Sequence, residues 1–486
     1  VLGLALLASL SACVSLAPEP QQPSLVSDLP DQYAAPATPG SFAPAEWWRQ
    51  FDDPVLNQLV GNALSNNLDV IEAVGRVEQA SAQARLARSA LLPTVSLSGD
   101  ASSTSTPLDG NAFSDLAGGV IDRLENEAYT LSLGASYEID LFGRARNDLA
   151  AARQDAVASE FDLQAIQLAA AAETISAYFD LVDTRRQVEL TRVTIETLED
   201  RAERTDDRFQ RGLAESFELY QVRQDLRSTQ ASLPQLESSL VALRARLALL
   251  TGAYPETLAL QIEQDLRPRL VFAPVPSGLP SDLLEQRPDV AAAWARLDAA
   301  RLRIGARRAE RFPTLTLGGS YGTQAGDISG AFDFASNWAT SLAASIVAPI
   351  IDGGRISANI RSARAVYDQQ AAAYARAVLT AYGEVDSAIA DYDEQRARYL
   401  LITEQLAEAE ASLDLQRRRF ASGVGSYVSY LDALRTVYLV ETNLSSAARA
   451  TAQARLGVHR ALGGDWAPDS QPQNLEMQPQ AGDPTP

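Results

Sequence analysis

The feature that most constrains this chain is that it contains one long unit twice. Asp69, Val70, Ala73, Arg76, Ala80, Arg88, Pro93, Thr94 and Leu97 each have an identical residue 220 positions later, from Asp289 to Leu317. Further on the offset becomes 211 and holds: Gly143-Arg144 matches Gly354-Arg355, Glu173 matches Glu384, Arg208-Phe209 matches Arg419-Phe420, Gly212 matches Gly423 and Gly252 matches Gly463. The shift falls between Pro93 and Gly143, so the first copy has the longer loop there. Two copies of a unit this large mean a duplicated architecture.

Within each copy the apolar period changes from helix to strand and back. Val95, Leu97, Gly99 and Ala101 alternate with Thr94, Ser96, Ser98 and Asp100. Tyr129, Leu131, Leu133, Ala135, Tyr137, Ile139 and Leu141 alternate with Thr130, Ser132, Ser136, Glu138 and Asp140. Leu315, Leu317 and Tyr321 repeat the pattern, and Trp338, Leu342, Ile346 and Ile350 form a less tidy fourth segment. Period two over strands of this length, with aromatics near the ends, predicts membrane β-strands at about 93–106, 129–142, 313–324 and 337–351. A half-buried soluble hairpin is the plainer alternative. Four strands cannot close around a pore, so the membrane reading demands further copies of the chain.

The helical parts step by seven. Leu219, Leu226, Leu233, Leu240 and Leu247 form one series, Leu181, Val188, Ile195, Ala202 and Phe209 another, and Tyr392, Tyr399, Leu406, Leu413 and Phe420 its copy. Such spacing predicts helices packed as coiled coils. Arg144 to about Gln210 contains no proline, which gives one helix roughly 100 Å long at about 1.5 Å per residue. Ile356–Phe420 is its counterpart. Shorter helices are expected at about Val55–Leu92, Phe217–Leu250, Ser281–Phe312 and Tyr427–Leu462, with a bend near Pro234.

Composition removes several functions. The net charge is −21 and every basic residue is arginine, so no basic run exists to neutralise nucleic-acid phosphates. One Cys and one His cannot assemble a His/Cys zinc site, and no phosphate-binding glycine loop joins a strand to a helix. No cofactor is expected. His459, near a predicted helix end, reads as a surface or C-terminal-turn histidine. The apolar run Val1–Ala12 is too short to span a bilayer and ends in Leu10-Ser11-Ala12-Cys13. That tetrapeptide resembles a bacterial lipobox, in which the cysteine carries the N-terminal lipid. A buried free cysteine is the alternative.

Several motifs carry a wider resemblance. Trp47-Trp48, Phe51-Asp52-Asp53-Pro54, Leu56, Leu59, Ala63-Leu64, Asn67 and Asp69 form an N-terminal signature. Asp140-Leu141-Phe142-Gly143-Arg144 and Pro349-Ile350-Ile351-Asp352-Gly353-Gly354-Arg355 mark strand-to-helix junctions, and Arg208–Ala214 and Arg419–Val424 mark turns between helices. In this order and in duplicate they resemble the outer-membrane factor family typified by TolC, in its efflux lipoprotein branch, over roughly Trp47–Trp466. The resemblance implies a mainly α chain with a transmembrane β part, assembled as a trimer with a twelve-stranded barrel continuous with a twelve-helix periplasmic α-barrel. It implies passive passage of substrate from an inner-membrane RND-type pump through a periplasmic adaptor, with no enzymatic step. A type I protein-secretion duct is the nearest rival, and a periplasmic coiled-coil scaffold or adaptor lipoprotein the rival from another class.

The same resemblance divides the chain into a partial lipoprotein signal peptide (1–12), a lipidated extended tether (13–45), repeat one (46–252), an irregular equatorial segment (253–280), repeat two (281–466) and a disordered tail (467–486). It places an acidic ring of the periplasmic gate at Asp432 and an apolar ring at Val428. A solvated helix-face carboxylate is the plainer reading of Asp432. Ser429, Gly425 and Phe420 depart from the TolC pattern and imply a gate without a polar latch between helices. The tips Gly212, Leu213, Gly423 and Val424 are placed against the adaptor, although glycine there also serves a tight helix reversal.

Overall fold

The computed structural model describes residues 46–107, 123–257 and 287–464 and, in the N-terminal tether, 16–21, 23, 26, 30 and 32–34. Cys13, the signal peptide, most of the segment 253–280 and the tail lie outside the described residues. A 3-10 turn at Trp47–Phe51 leads into α1 (Pro54–Asn66), α2 (Leu68–Ser89), β1 (Thr94–Pro107), β2 (Arg123–Ile139), α3 (Arg144–Gln210) and α4 (Ser216–Leu250). The second copy follows as α5 (Pro288–Ala309), β3 (Thr314–Ala325), β4 (Trp338–Val347), α6 (Arg355–Ala421) and α7 (Tyr427–Ala461). Glycines with positive φ recur at the repeat offset, at 143 and 354, 212 and 423, and 252 and 463. The duplication therefore extends to backbone conformation.

The chain divides into two compact units. One holds the tether to Gln22, Val77–Ala158 and Ala293–Ala373; the other holds Pro23–Arg76, Ser159–Ala292 and the chain from Tyr374 onward.

The first unit carries the sheet, antiparallel in the order β1-β2-β3-β4. Its register aligns Val95 with Ala135, Gly319 and Leu342, and Leu97 with Leu133, Tyr321 and Thr340. Ile139, Leu315 and Ile346 form a further row on that face. The intervening rows are polar: Ser96, Gly134, Ser320 and Ser341 align, as do Ser98 and Ser132. Serine hydroxyls bond across the polar face, Ser98 to Ser132 at 3.0 Å and Ser320 to Ser341 at 2.8 Å. The alternation thus gives one apolar and one polar face. The apolar face is bare, with Leu342 92% exposed. β2 begins at Arg123, six residues before the alternation is visible, and β4 ends at Val347, so Ile350 follows the strand rather than extending it. Among the described residues no helix is long and apolar enough to cross a membrane.

The second unit contains a core built from Trp47, Phe51, Leu56, Leu59 and Val60 against Ile175, Tyr178, Phe179 and Leu181 of α3 and Leu240 and Leu247 of α4. Asp53 caps α1, accepting from the N–H groups of Val55 and Leu56 at 2.9 and 3.1 Å, and also accepts the buried Tyr178 hydroxyl. Burial in that core pushes the Tyr178 phenol up, with Asp53 adding to the shift.

Two expectations are corrected. The helix expected over Val55–Leu92 is two helices, because Asn67 ends α1 and caps α2, accepting from Asp69 N–H at 2.9 Å while donating to the Leu250 carbonyl at 3.0 Å. α4 continues as helix on both sides of Pro234, where the bend is expected, with the heptad residues Leu226 and Leu240 buried. The lost backbone bond is local, and packing on either side holds the helix. His459 lies in the last turn of α7 but is buried, not on the surface.

Candidate functional site

The site implied for the gate lies where α3 turns into α4 and α6 into α7. Both long helices end in the same way. At the first turn Leu213 N–H donates to the Arg208 carbonyl at 2.8 Å and Gly212 N–H to the Phe209 carbonyl at 2.9 Å. At the second, Val424 N–H reaches the Arg419 carbonyl and Gly423 N–H the Phe420 carbonyl, each at 3.0 Å. This paired closure requires a left-handed residue, and Gly212 and Gly423 supply φ of 74° and 77°. The helix-reversal role of the two glycines is therefore fully accounted for by backbone geometry. Gly425 serves a different end: a Cβ there would lie 2.9 Å from the Cβ of Arg419.

The side chains beside these glycines point outward, with Leu213 67% and Val424 75% exposed. Phe217 and Tyr220, in the first turns of α4, are exposed as well.

Ser426 caps α7, its Oγ accepting from Ser429 N–H at 3.1 Å. Its first turns divide into two faces. Tyr427, Tyr430 and Leu431 are buried with Val222 of α4, and Ala202, Leu413 and Phe420 pack against them. Val428 and Asp432 are exposed one helical turn apart. Helical spacing thus brings the two predicted gate residues onto one bare stripe, one apolar and one anionic.

Sequence reasoning missed the polar links behind that stripe. Arg201 of α3 donates to the Tyr430 hydroxyl at 2.6 Å, and its guanidinium lies 4.7 Å from the centre of that ring. Thr205 donates to the Tyr427 hydroxyl at 3.4 Å, and burial pushes the Tyr427 phenol up. Arg435 of α7 pairs with Asp225 of α4, and Arg223 of α4 with Asp206 of α3 at 3.1 Å. Polar links thus tie α7 to α3 and α4 within the protomer, at positions other than Ser429, Gly425 and Phe420. Arg201–Tyr430, Thr205–Tyr427 and Asp225–Arg435 join residues more than 200 apart in sequence, while Asp206 and Arg223 are 17 apart.

Comparison with known proteins agrees with this architecture. The outer membrane efflux protein family matches residues 59–253 and 279–464, one match on each repeat. The chain is similar to the outer membrane protein OprJ of Pseudomonas aeruginosa, 32% identical over 473 residues and covering 96% of both chains. It is 30% identical over 482 residues to a probable outer membrane lipoprotein, SilC, of Salmonella typhimurium, covering 96% of this chain and 98% of that one. Among solved structures, the outer-membrane channel OprN superposes with a TM-score of 0.82 at 29% identity, covering 93% of this chain and all of the other. The duplicated helices, the four-stranded sheet and these matches together place the protein in the outer membrane, and the chain belongs to the outer membrane efflux protein family.

Proposed function

We propose that three copies of this chain form a passive exit duct, the outer-membrane part of a tripartite efflux system fed by a periplasmic adaptor and an inner-membrane RND-type pump. The observation that carries the reading is the sheet: one face apolar and bare, the other lined with serines, and both outer strands, β1 and β4, without a neighbour among the described residues. Unpaired backbone groups are costly in hydrocarbon, so such a sheet reaches lipid only as part of a closed wall. Three copies give twelve strands. The duct performs no chemistry; the pump supplies the energy.

In this reading Asp432 and Val428 form the acidic and apolar rings of the periplasmic gate, and Leu213 and Val424 beside Gly212 and Gly423 meet the adaptor. A lipid on Cys13 anchors the chain to the membrane. The similarity to a probable outer membrane lipoprotein supports that anchor. The segment 253–280 lies between the repeats, and 467–486 is a tail.

Cysteine pairs test the closure. With Ser96 or Ser98 of β1 and Ser341 or Ala343 of β4 replaced by cysteine, oxidised membranes should yield dimer and trimer bands on denaturing gels. Monomer alone at every pairing would overturn the proposal.

A further inference from the structure

We propose that the loop joining β3 to β4, residues 326–337, is an interfacial anchor that lays Ile328, Phe332 and Phe334 among the acyl chains of the outer leaflet. The inference rests on the reading of the sheet as a membrane wall, in which the long helices cross the periplasm and this loop lies at the opposite, outer end.

Hydrogen bonds fix the loop. Asp327 accepts from the Ser329 hydroxyl at 2.6 Å and from Gly330 N–H at 2.7 Å. Asp333 accepts from the N–H groups of Ala335 and Ser336 at 3.1 and 3.2 Å. The Asn337 side-chain amide donates to the Gly330 carbonyl, and its backbone N–H to the Asp333 carbonyl, each at 3.0 Å. The polar groups of the turn therefore satisfy one another, while its large apolar side chains are left outside. Ile328 is 67% exposed, Phe332 69%, and Phe334 is exposed beside them. Such a cluster is unfavourable in water unless something covers it.

The side of the sheet on which the loop lies identifies the cover. Thr323 aligns with Leu131 and Trp338, and Ala325 with Tyr129, so both follow Tyr321 on the bare apolar face. The loop folds back onto that face. Thr323 donates to the Ala331 carbonyl and is buried, and a Cβ at Gly330 would lie 2.7 Å from the Ala325 Cβ. The apolar cluster thus continues the lipid-facing surface past the exposed Trp338, away from the serine-lined face. Asp327 and Asp333 limit its depth. Hydrogen bonds from Ser329 and Gly330 hold the first carboxyl below the usual carboxylate range, and those from Ser336 and Ala335 do the same for the second. Apolar side chains between two fixed charges match a membrane interface, where acyl chains give way to headgroups.

The test uses single cysteines in the full chain, exported through a non-lipoprotein leader with Cys13→Ser, labelled with an environment-sensitive fluorophore and reconstituted in phosphatidylcholine vesicles. Phe332→Cys reads the loop, with Phe334→Cys in its place if the first variant fails to assemble. Leu342→Cys reads the bare face of the sheet and Ser98→Cys the serine face. Nitroxide-labelled phosphatidylcholine should quench the loop probe at least twofold, as it does at Leu342→Cys, and a nitroxide high on the acyl chain should outdo one near its end. Aqueous iodide should quench Ser98→Cys and spare both. Lipid quenching at Leu342→Cys with iodide quenching in the loop overturns the anchor and leaves the sheet in the membrane. A loop probe shielded from both quenchers would mean that protein, such as the loops of other copies, covers the cluster, and overturns the anchor too. Absence of lipid quenching at Leu342→Cys overturns the membrane reading of the sheet, and the anchor with it.

Discussion

The imidazole of His459 lies flat on the indole of Trp47, with ring centroids 4.8 Å apart and planes 12° from parallel. The stack joins the last turn of α7 to the 3-10 turn that opens the first repeat. Burial, with the nearby Arg455 charge, holds the imidazole pKa down to about 3, so the ring is neutral in the folded protein. An unfolded histidine titrates near about 6.5. Between those values the unfolded chain binds one more proton than the folded one, and stability falls as the pH drops from about 6.5 toward about 3. His459→Phe keeps a flat ring on Trp47 and removes the titration. Thermal midpoints measured from pH 7 to pH 4 should fall less steeply in the variant; equal slopes would contradict the buried neutral state.

The stripe on α7 predicts an ionic role for Asp432. Three carboxylates around a narrow axis attract cations and repel one another. In planar bilayers Asp432→Ala should change single-channel conductance and lower cation selectivity. Unchanged values for both would remove Asp432 from the gate.

Behind that stripe, the Asp225–Arg435 pair joins α4 to α7. Its arginine is 42% exposed, so its worth is discounted for solvent to about 1 kcal/mol. Asp225→Asn should lower the thermal midpoint slightly and raise conductance if the link restrains α7. A variant matching the parent protein in both would show that the pair restrains nothing.

Gly423 has a sharper expectation. A β-branched residue at its φ of 77° costs roughly 1–2 kcal/mol. Gly423→Val should destabilise the α6–α7 turn by that amount, and Gly212→Val should do the same at the α3–α4 turn. Chemical denaturation reads both; a loss at only one turn would break the equivalence of the two copies.

If the tips meet an adaptor, photocrosslinkers at Leu213 and Val424 should capture it in cells, while one at Leu249, also exposed, should not. Capture at neither tip would leave the two glycines with their turn-forming role alone.

Much of this architecture could be read from the residues because it depends on local periodicity. Alternation from Val95 to Ala101 and from Tyr129 to Ile139 located β1 and β2, since each outward residue declares its face. The start of β2 at Arg123 was not visible, because Arg123, Glu125 and Glu127 interrupt the apolar side. Gly212 and Gly423 marked the turns through their shared offset. The break at Asn67 was masked by helix-forming residues on either side, and the Asn67–Leu250 bond that explains it spans 183 residues. At the site, only the family resemblance picked out Val428 and Asp432, and the structure shows both exposed four residues apart on α7. Arg201, Asp225 and Arg435 carry no local signal, since an arginine on a heptad flank looks the same whether it meets water or a tyrosine from a distant helix. His459 misled for the same reason: its partner, Trp47, is more than four hundred residues away.

The most direct test is the protein mass of the particle extracted from outer membranes, with bound detergent subtracted, by light scattering or native mass spectrometry. Three chains per particle is the predicted result. A folded single chain that stays dispersed without detergent would contradict the account, because the bare apolar face of the sheet would then have neither lipid nor neighbours to cover it.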